Sequence, residues 1–523
     1  MNKQSAKRRR EDDDGSAIAM DRLSQLPQPI LHNILSLLSQ KDAVQTSVLS
    51  KSWRYLWHGR LNVEFLDLYY RFVGNKTNWS FLDKTLQRYL DQNLSLQKFL
   101  VSINYEVDVV LLQKWIPIVI MHMGVRSFNF IFRRTSIVYP LPLVVFQSES
   151  LVELHLERCD LKILESIDNV MLNNLQTLRL HDVDITDEFL EKIISSCPLI
   201  NNLDLLVCTS LKSIKLHKHH NIKDFVYSAV GKINIEIENT HTLESVRITN
   251  CPNWFLLHKN MHFPHLKSLN LYKVPFPADI FNNFSSLFPC LNELIINHCK
   301  GFKEFRLLSY SIKRLTINMD PRNRIKAFID TPNILYFAYS GQGFLPSIKF
   351  TTISNEWKSQ ISLSYKLKRS DNDASSWFLK LNELLKALSQ SHITLNLICR
   401  NNEKMHIKDS YGGFYKLVVV EQLKLSGDFS SYFNPATLSC FFRIFRPRYM
   451  HMENGLGKFN LAEYISKLTP DKTGRYFWLQ DLEEVSLEVW DVKAKEWNCV
   501  QWTSLHALCS QQKFRFRLTW KEQ

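Results

Sequence analysis

The sequence predicts an α/β protein: three short helices at the N-terminus, then a long array of strand-forming repeats. Three observations carry this. Residues 21–57 hold three helical patterns in succession with almost no spacer. From Leu151 onward an apolar frame, Leu-x-x-Leu-x-Leu-x-x-Cys, returns at steps of 21 to 25 residues, the period of a stacked repeat architecture. The composition, 45% apolar and 22% charged with only 14 Gly and 17 Pro, is that of a folded chain.

The helical module comes first. Pro29 suits an opening helical turn, where its missing N–H is not needed. Ile30, Leu31, Ile34, Leu35 and Leu38 then follow at helical spacing. Ala43, Val44, Ser47 and Val48 repeat that spacing, and Trp53, Leu56 and Trp57 close the third pattern. A unit this small has much surface for the core it can bury. Its wide apolar stripe is therefore expected to complete its core against another protein, through Leu26, Pro27, Ile30, Ile34, Leu35, Val48, Leu49, Trp53 and Leu56. These residues resemble the F-box. Its opening motif stands as Asp21-Arg22-Leu23-Ser24-Gln25-Leu26-Pro27, and its plant-type ending as Ser47-Val48-Leu49-Ser50-Lys51-Ser52-Trp53-Arg54-Tyr55-Leu56-Trp57. Gln28-Pro29 departs from the usual acidic residue after Leu-Pro. The resemblance implies docking to the Skp-type adaptor of a cullin–RING ubiquitin ligase.

The repeat frame reads Leu151/Leu154/Leu156/Cys159, then Ile200/Leu203/Leu205/Cys208, Leu243/Val246/Ile248/Cys251 and Leu291/Leu294/Ile296/Cys299. Looser copies start at Leu175, Leu266, Ile312 and Ile334, with Ile222/Phe225/Tyr227 filling the one double step. In Leu-x-Leu the two leucines point to one side of a strand and the middle residue to the other. No repeat buries its apolar face alone, so the array folds as a stack. The cysteines hold one repeat position, which spreads them along the stack as core thiols and does not gather them round an ion. Earlier strands are read at Leu96/Phe99/Val101 and Val125/Phe128/Phe130, separated by helices at 81–90 and 109–121. Later ones are read at Ile393/Leu395/Leu397, Val420/Leu423/Leu425 and Leu482/Val485/Leu487, with helices at 377–388 and 436–445. Residues 347–373 carry no clean repeat, 366–376 read as a loop, and the alternation at 514–520 reads as a half-buried last strand. The order of parts resembles the plant F-box/leucine-rich-repeat proteins, an α/β solenoid. The expected division is a charged tail over 1–20, the F-box over 21–60, a helical connector over 61–95, repeats over 96–345, and irregular repeats over 346–523 ending in a capping strand.

Several features point away from catalysis. There is no Gly-rich phosphate loop, His-Glu-x-x-His helix or nucleophile-elbow serine. His217-Lys218-His219-His220 has no acidic or cysteine partner beside it and reads as solvated surface. No metal or cofactor is implied. The N-terminus shows no secretory signal and no apolar run approaches a membrane span. The ten cysteines are accordingly read as reduced, and the Asn75 and Asn78 sequons as bare. The net charge of +14 favours acidic partners, but no nucleic-acid-binding motif accompanies it, so specific nucleic-acid binding is the weakest reading. Lys7-Arg8-Arg9-Arg10 could act in nuclear import, which places the chain in nucleus or cytoplasm.

The expected role is a substrate receptor of a Skp–cullin–F-box ligase. Its target is unknown, and catalysis belongs to partner subunits. A co-receptor for a small signalling ligand is the alternative. Target binding is expected on the concave strand face, at the middle residues His155, Arg179, Asp204, Lys215, Arg247, Asn270, Ile295 and Thr316. The rival surface is a basic loop edge, with Arg306, Lys313, Arg314, Arg322, Arg324 and Lys326 near Glu304, Asp320 and Asp330.

Overall fold

A computed structural model describes residues 26–38, 40–46, 48, 53–54, 56, 59–66, 79–103, 108–133, 138–161, 169–216, 221–228, 233–237, 241–252, 262–320, 325–342, 345–351, 356–365, 371–399, 417–427, 435–452, 477–502 and 513–521. Leu49, the Lys7–Arg10 cluster, residues 217–220, Asn75, Asn78, Arg322 and Arg324 lie outside the described residues. The chain forms two compact units, Met1–Leu175 and Gln176–Gln523.

The first unit opens with helices α1, Gln28–Leu37, and α2, Gln40–Thr46. Leu31, Leu35, Ala43, Trp53 and Leu56 form a small core between them, with Leu26, Ile34 and Leu38 packed at its margin. Four parallel strands follow: β1, Asn62–Leu66; β2, Lys98–Ile103; β3, Ser127–Phe132; and β4, Glu153–Glu157. Their register stacks Val63, Phe99, Phe128 and Leu154 in one row and Phe65, Val101, Phe130 and Leu156 in the next. Parallel neighbours need crossovers. Here α3, Trp79–Asp91, joins β1 to β2 and α4, Val109–His122, joins β2 to β3. Asp108 caps α4 by accepting from the Leu111 N–H at 2.9 Å. Asp83 of α3 ties the pair together, accepting from Trp115 Nε1 at 2.8 Å and from Lys114 Nζ at 3.0 Å.

The C-terminal end of α1 is held by the stretch that leads into β1. A helix leaves its last carbonyls without partners of its own. Asn62 Nδ2 donates to the Ser36 carbonyl at 3.1 Å, and the buried Arg60 guanidinium donates to the Leu38 carbonyl. The Tyr89 hydroxyl of α3 in turn donates to the Arg60 carbonyl. Burial pulls the Arg60 guanidinium below its ordinary value, and Glu64 and Tyr89 work against that shift. A cation suits this position beside the negative end of the helix dipole.

The second unit is one long ladder. Its strands are β5, Thr177–His181; β6, Asn202–Leu206; β7, Asp224–Ser228; β8, Ser245–Thr249; β9, Ser268–Tyr272; β10, Glu293–Asn297; β11, Arg314–Asn318; and β12, Tyr336–Gln342. They continue as β13, Lys358–Tyr365; β14, His392–Cys399; β15, Val418–Gly427; and β16, Phe445–Met452. Each pairs in parallel with the next. Inward rows run Leu178, Leu203, Phe225, Val246, Leu269, Leu294, Leu315, Phe337 and Leu180, Leu205, Tyr227, Ile248, Leu271, Ile296, Ile317, Tyr339. In β13 the first row meets Ser359, which is buried; its hydroxyl hydrogen-bonds Ser391 Oγ at 2.6 Å, so the polar group is satisfied.

Crossovers carry helices α5, Asp187–Ser195; α6, Phe284–Leu287; α7, Asp371–Ala387; and α8, Pro435–Phe442. Helix α5 shows why they form: Thr186 caps it, Asp187 and Glu188 sit in the first turn, and Phe189, Leu190, Ile193 and Ile194 are buried. Residues 371–376 begin α7, where the sequence reads as a loop, and the buried apolar positions of the helix start at Trp377. Residues 347–373, without a legible repeat, contribute both β13 and a strand, Ser347–Phe350, of a second, smaller ladder. That smaller ladder pairs Glu304–Leu308 with Lys326–Asp330 and then Ser347–Phe350, and a separate two-stranded one pairs Ser213–Leu216 with Asn234–Ile237. The parallel order ends at β16. Strands β17, Leu482–Asp491; β18, Glu496–Val500; and β19, Phe514–Trp520, are antiparallel to their neighbours.

Candidate functional site: the exposed edge of the helical module and the outward face of the ladder

The helical module has two faces. On α1, Leu31 and Leu35 are buried in its core, while Ile30 and Leu37, seven residues apart and so on one side, are 45% and 86% exposed. Pro27 is exposed and Val48, in the turn after α2, is 81% exposed. The stripe read from the sequence thus divides between two faces. Leu35, Trp53 and Leu56 point into the module's own core, Leu26 and Ile34 sit half-buried at its margin, and Pro27, Ile30 and Val48 of the described candidates are exposed. Leu37 was not among the residues singled out from the sequence, and its seven-residue spacing from Ile30 puts it on the same exposed side.

On the ladder, middle residues of successive strands stand in one register. In the second unit the row runs Arg179, Asp204, Val226, Arg247, Asn270, Ile295, Thr316, Ala338, Gln360, Thr394, Gln422 and Tyr449. In the first unit the same position is filled by Glu64, Leu100, Asn129 and His155. Lys215 is not in the row. It faces Glu236 in the small ladder, and Val226 takes its place. Ser213–Leu216 alternates like a ladder strand but lies half a repeat after β6, which alternation alone does not reveal. Ile295 is half-buried between Asn270 and Thr316. Along the starting edge of the face, Arg314 pairs with Glu293 at 3.2 Å and stacks on Tyr336, 4.7 Å from the ring centroid.

In the described part of the basic loop edge, charged groups are engaged in local contacts. Lys326 pairs with Glu304 at 2.6 Å, Asp320 is taken by His298 at 2.7 Å, and Arg306 lies 4.7 Å over the Phe328 ring. That is the arrangement of a solvated face.

The repeat cysteines close the strand ends. Cys208 Sγ donates to the Leu180 carbonyl of the preceding repeat at 3.3 Å, and Cys299 Sγ donates to that of Leu271 at 3.5 Å. Burial pushes Cys208 up to about 12 and Cys299 up to about 11, so both stay thiols near neutrality. The residue just before each closing position has a left-handed backbone: Arg158, Asp182, Val207, Asn250, Lys273 and His298 all have φ between 52° and 58°. In the second unit the N–H of each such residue reaches the last carbonyl of the next strand, as Asp182 does to Leu206 at 2.7 Å and Val207 to Ser228 at 2.6 Å.

Comparison with known proteins matches both parts. The F-box domain family matches residues 23–63, and the leucine-rich repeats of the FBD-associated F-box protein At5g56370 family match residues 112–253. In these stretches the chain is similar to plant F-box/leucine-rich-repeat proteins. The F-box/LRR-repeat protein At3g59200 of Arabidopsis thaliana is 34% identical over 199 residues, covering 36% of this chain and 37% of the relative. The F-box/FBD/LRR-repeat protein At5g22660 of the same plant is 35% identical over 193 residues, 36% of this chain and 40% of the relative. The putative FBD-associated F-box protein At5g22720, also from Arabidopsis thaliana, is 31% identical over 281 residues, 51% and 53% respectively. The matched stretches thus span about half or less of each relative. Among the described residues, no helix is long and apolar enough to cross a membrane.

Proposed function

We propose that this chain is the substrate-recognition subunit of a Skp–cullin–F-box ubiquitin ligase. Its F-box docks a Skp-type adaptor, its repeats hold a protein target, and ubiquitin transfer is done by partner subunits. The observation that carries the reading is an F-box that keeps a small closed core and still exposes Pro27, Ile30, Leu37 and Val48. Large apolar groups left in water beside a finished core favour a partner that covers them. The outward row of the ladder is the surface for the target, because it is the side of each strand that the core leaves open. Held there, target lysines would meet a charged conjugating enzyme, and the gain is one of proximity.

Pull-down with a Skp-type adaptor tests the docking. Burying one large apolar side chain is worth roughly 1.5–3 kcal/mol, so Ile30→Asp with Leu37→Asp should weaken capture about a hundredfold or more. Both positions are largely exposed, so the melting transition should hardly move. Unchanged capture by the folded double variant would refute docking through this edge.

A further inference from the structure

The exposed edge of α1 continues into a cavity. Where α1 meets the entry to the strands there is a space of about 360 Å³, within the usual size range of ligand sites. Pro29, His32 and Asn33 of α1 form one side, and Gly59 and Leu61, in the stretch that leads into β1, form the next. Leu94 and Ser95, in the turn between α3 and β2, close it. These two lie beyond residue 63, where the F-box match ends. The walls are tied in place. The Leu61 carbonyl accepts from the Gln97 N–H at 2.7 Å, and the Leu94 N–H donates to the Tyr89 carbonyl at 2.9 Å. Arg60 and Asn62, on either side of Leu61, hold the last carbonyls of α1. The cavity is therefore formed before anything enters it.

Its place on α1 joins it to the docking edge. Residues three and four apart on a helix are neighbours, so Asn33 stands between Ile30 and Leu37 on the exposed side, and it also lines the cavity. Pro29 is likewise exposed and adjoins Ile30. A partner that covers Ile30 and Leu37 passes over the cavity. The lining sets the chemistry of what enters. Pro29, Leu61 and Leu94 are apolar, and no carboxylate, lysine or arginine of the described residues lines the space. His32 Nδ1 is buried and has no hydrogen-bond partner among the described residues. A neutral imidazole has one ring nitrogen that accepts. Tyrosine and tryptophan side chains have an apolar body and one polar tip that donates, which suits this lining better than a charged group.

We propose that this cavity extends the docking surface from the F-box onto the entry of the strand array, and that it takes one tyrosine or tryptophan side chain of the Skp-type adaptor, with the O–H or N–H donating to His32. The assignment rests on the adaptor docking proposed above. The test titrates the full chain with a fluorescently labelled Skp-type adaptor. A Cβ on Gly59 would stand 3.6 Å from His32 Cε1, an ordinary contact, and Gly59 is not in a left-handed conformation. Gly59→Ala should therefore keep the affinity within about twofold, while Gly59→Leu, which fills the space, should weaken it about tenfold. Ser95 is exposed, so Ser95→Trp should leave the melting transition nearly unmoved and weaken the adaptor by a similar factor. A photo-crosslinking benzoylphenylalanine at position 95 should form its adduct with the adaptor. Unchanged affinity in both Gly59→Leu and Ser95→Trp would overturn the assignment. An adduct confined to residues 1–25 of this chain would overturn it as well, by giving the cavity to the chain's own N-terminal segment. Ile30→Asp with Leu37→Asp, titrated alongside, separates the two readings: if that pair weakens capture and the Gly59 and Ser95 variants do not, only the extension falls.

Discussion

At the scale of single residues, the turn out of each strand is the place where sequence and conformation disagree most. Six positions there have a left-handed backbone, and one of them is Val207, with φ of 56°. That conformation costs an L-residue roughly 1–2 kcal/mol, and asparagine or aspartate escapes much of it. Asn250 and Asp182 hold the equivalent places in neighbouring repeats. Val207 is 41% exposed, so little packing is lost when it changes, and its N–H bond to Ser228 survives any side chain. Val207→Asn should therefore stabilise the second unit by about 1 kcal/mol, read as a higher urea midpoint with an unchanged slope. A lower midpoint would mean that the valine side chain contributes packing that outweighs the strain.

At the scale of elements, α1 is amphipathic twice over. Leu31 and Leu35 hold the F-box core, and Ile30 and Leu37 face out. The two faces should separate on mutation. Leu35 is fully buried, and Leu35→Ala should cost about 2–5 kcal/mol of local stability, seen as faster hydrogen exchange of the α1 amides. Leu37→Ala should stay within about ±0.5 kcal/mol and leave that exchange unchanged. Similar exchange in both variants would mean that the core does not set the stability of α1. The helical period was plain in the sequence. Which stripe turned inward was not, because both are apolar and only the positions of α2, Trp53 and Leu56 choose between them.

At the scale of the whole molecule, the sequence carries a charge of +14, and on the described loop edge Lys326 is paired with Glu304. On the outward row, cations stand at Arg179 and Arg247. Reversing both of these to Glu should change stability little, since exposed and half-exposed positions usually move it by about ±0.5 kcal/mol. Degradation of the target should nevertheless be lost while adaptor capture persists, as followed by target half-life after synthesis is blocked. A target half-life left unchanged by the double reversal would remove these two residues from the recognition surface.

The sequence by itself determined the repeat, its inward rows and the strand hidden at Ile222–Tyr227. Each follows from apolar spacing within a few residues, and a stack whose repeats touch only their neighbours adds few further constraints. It also specified the F-box, because that motif is contiguous. The tertiary structure alone decided which alternating segments joined the main ladder, and so replaced Lys215 by Val226. It decided that Leu35, Trp53 and Leu56 close a core, and that the last strands run antiparallel. These outcomes depend on register, on carbonyls offered by the next repeat, and on which of two apolar faces a distant segment covers. Local spacing carries no record of any of them.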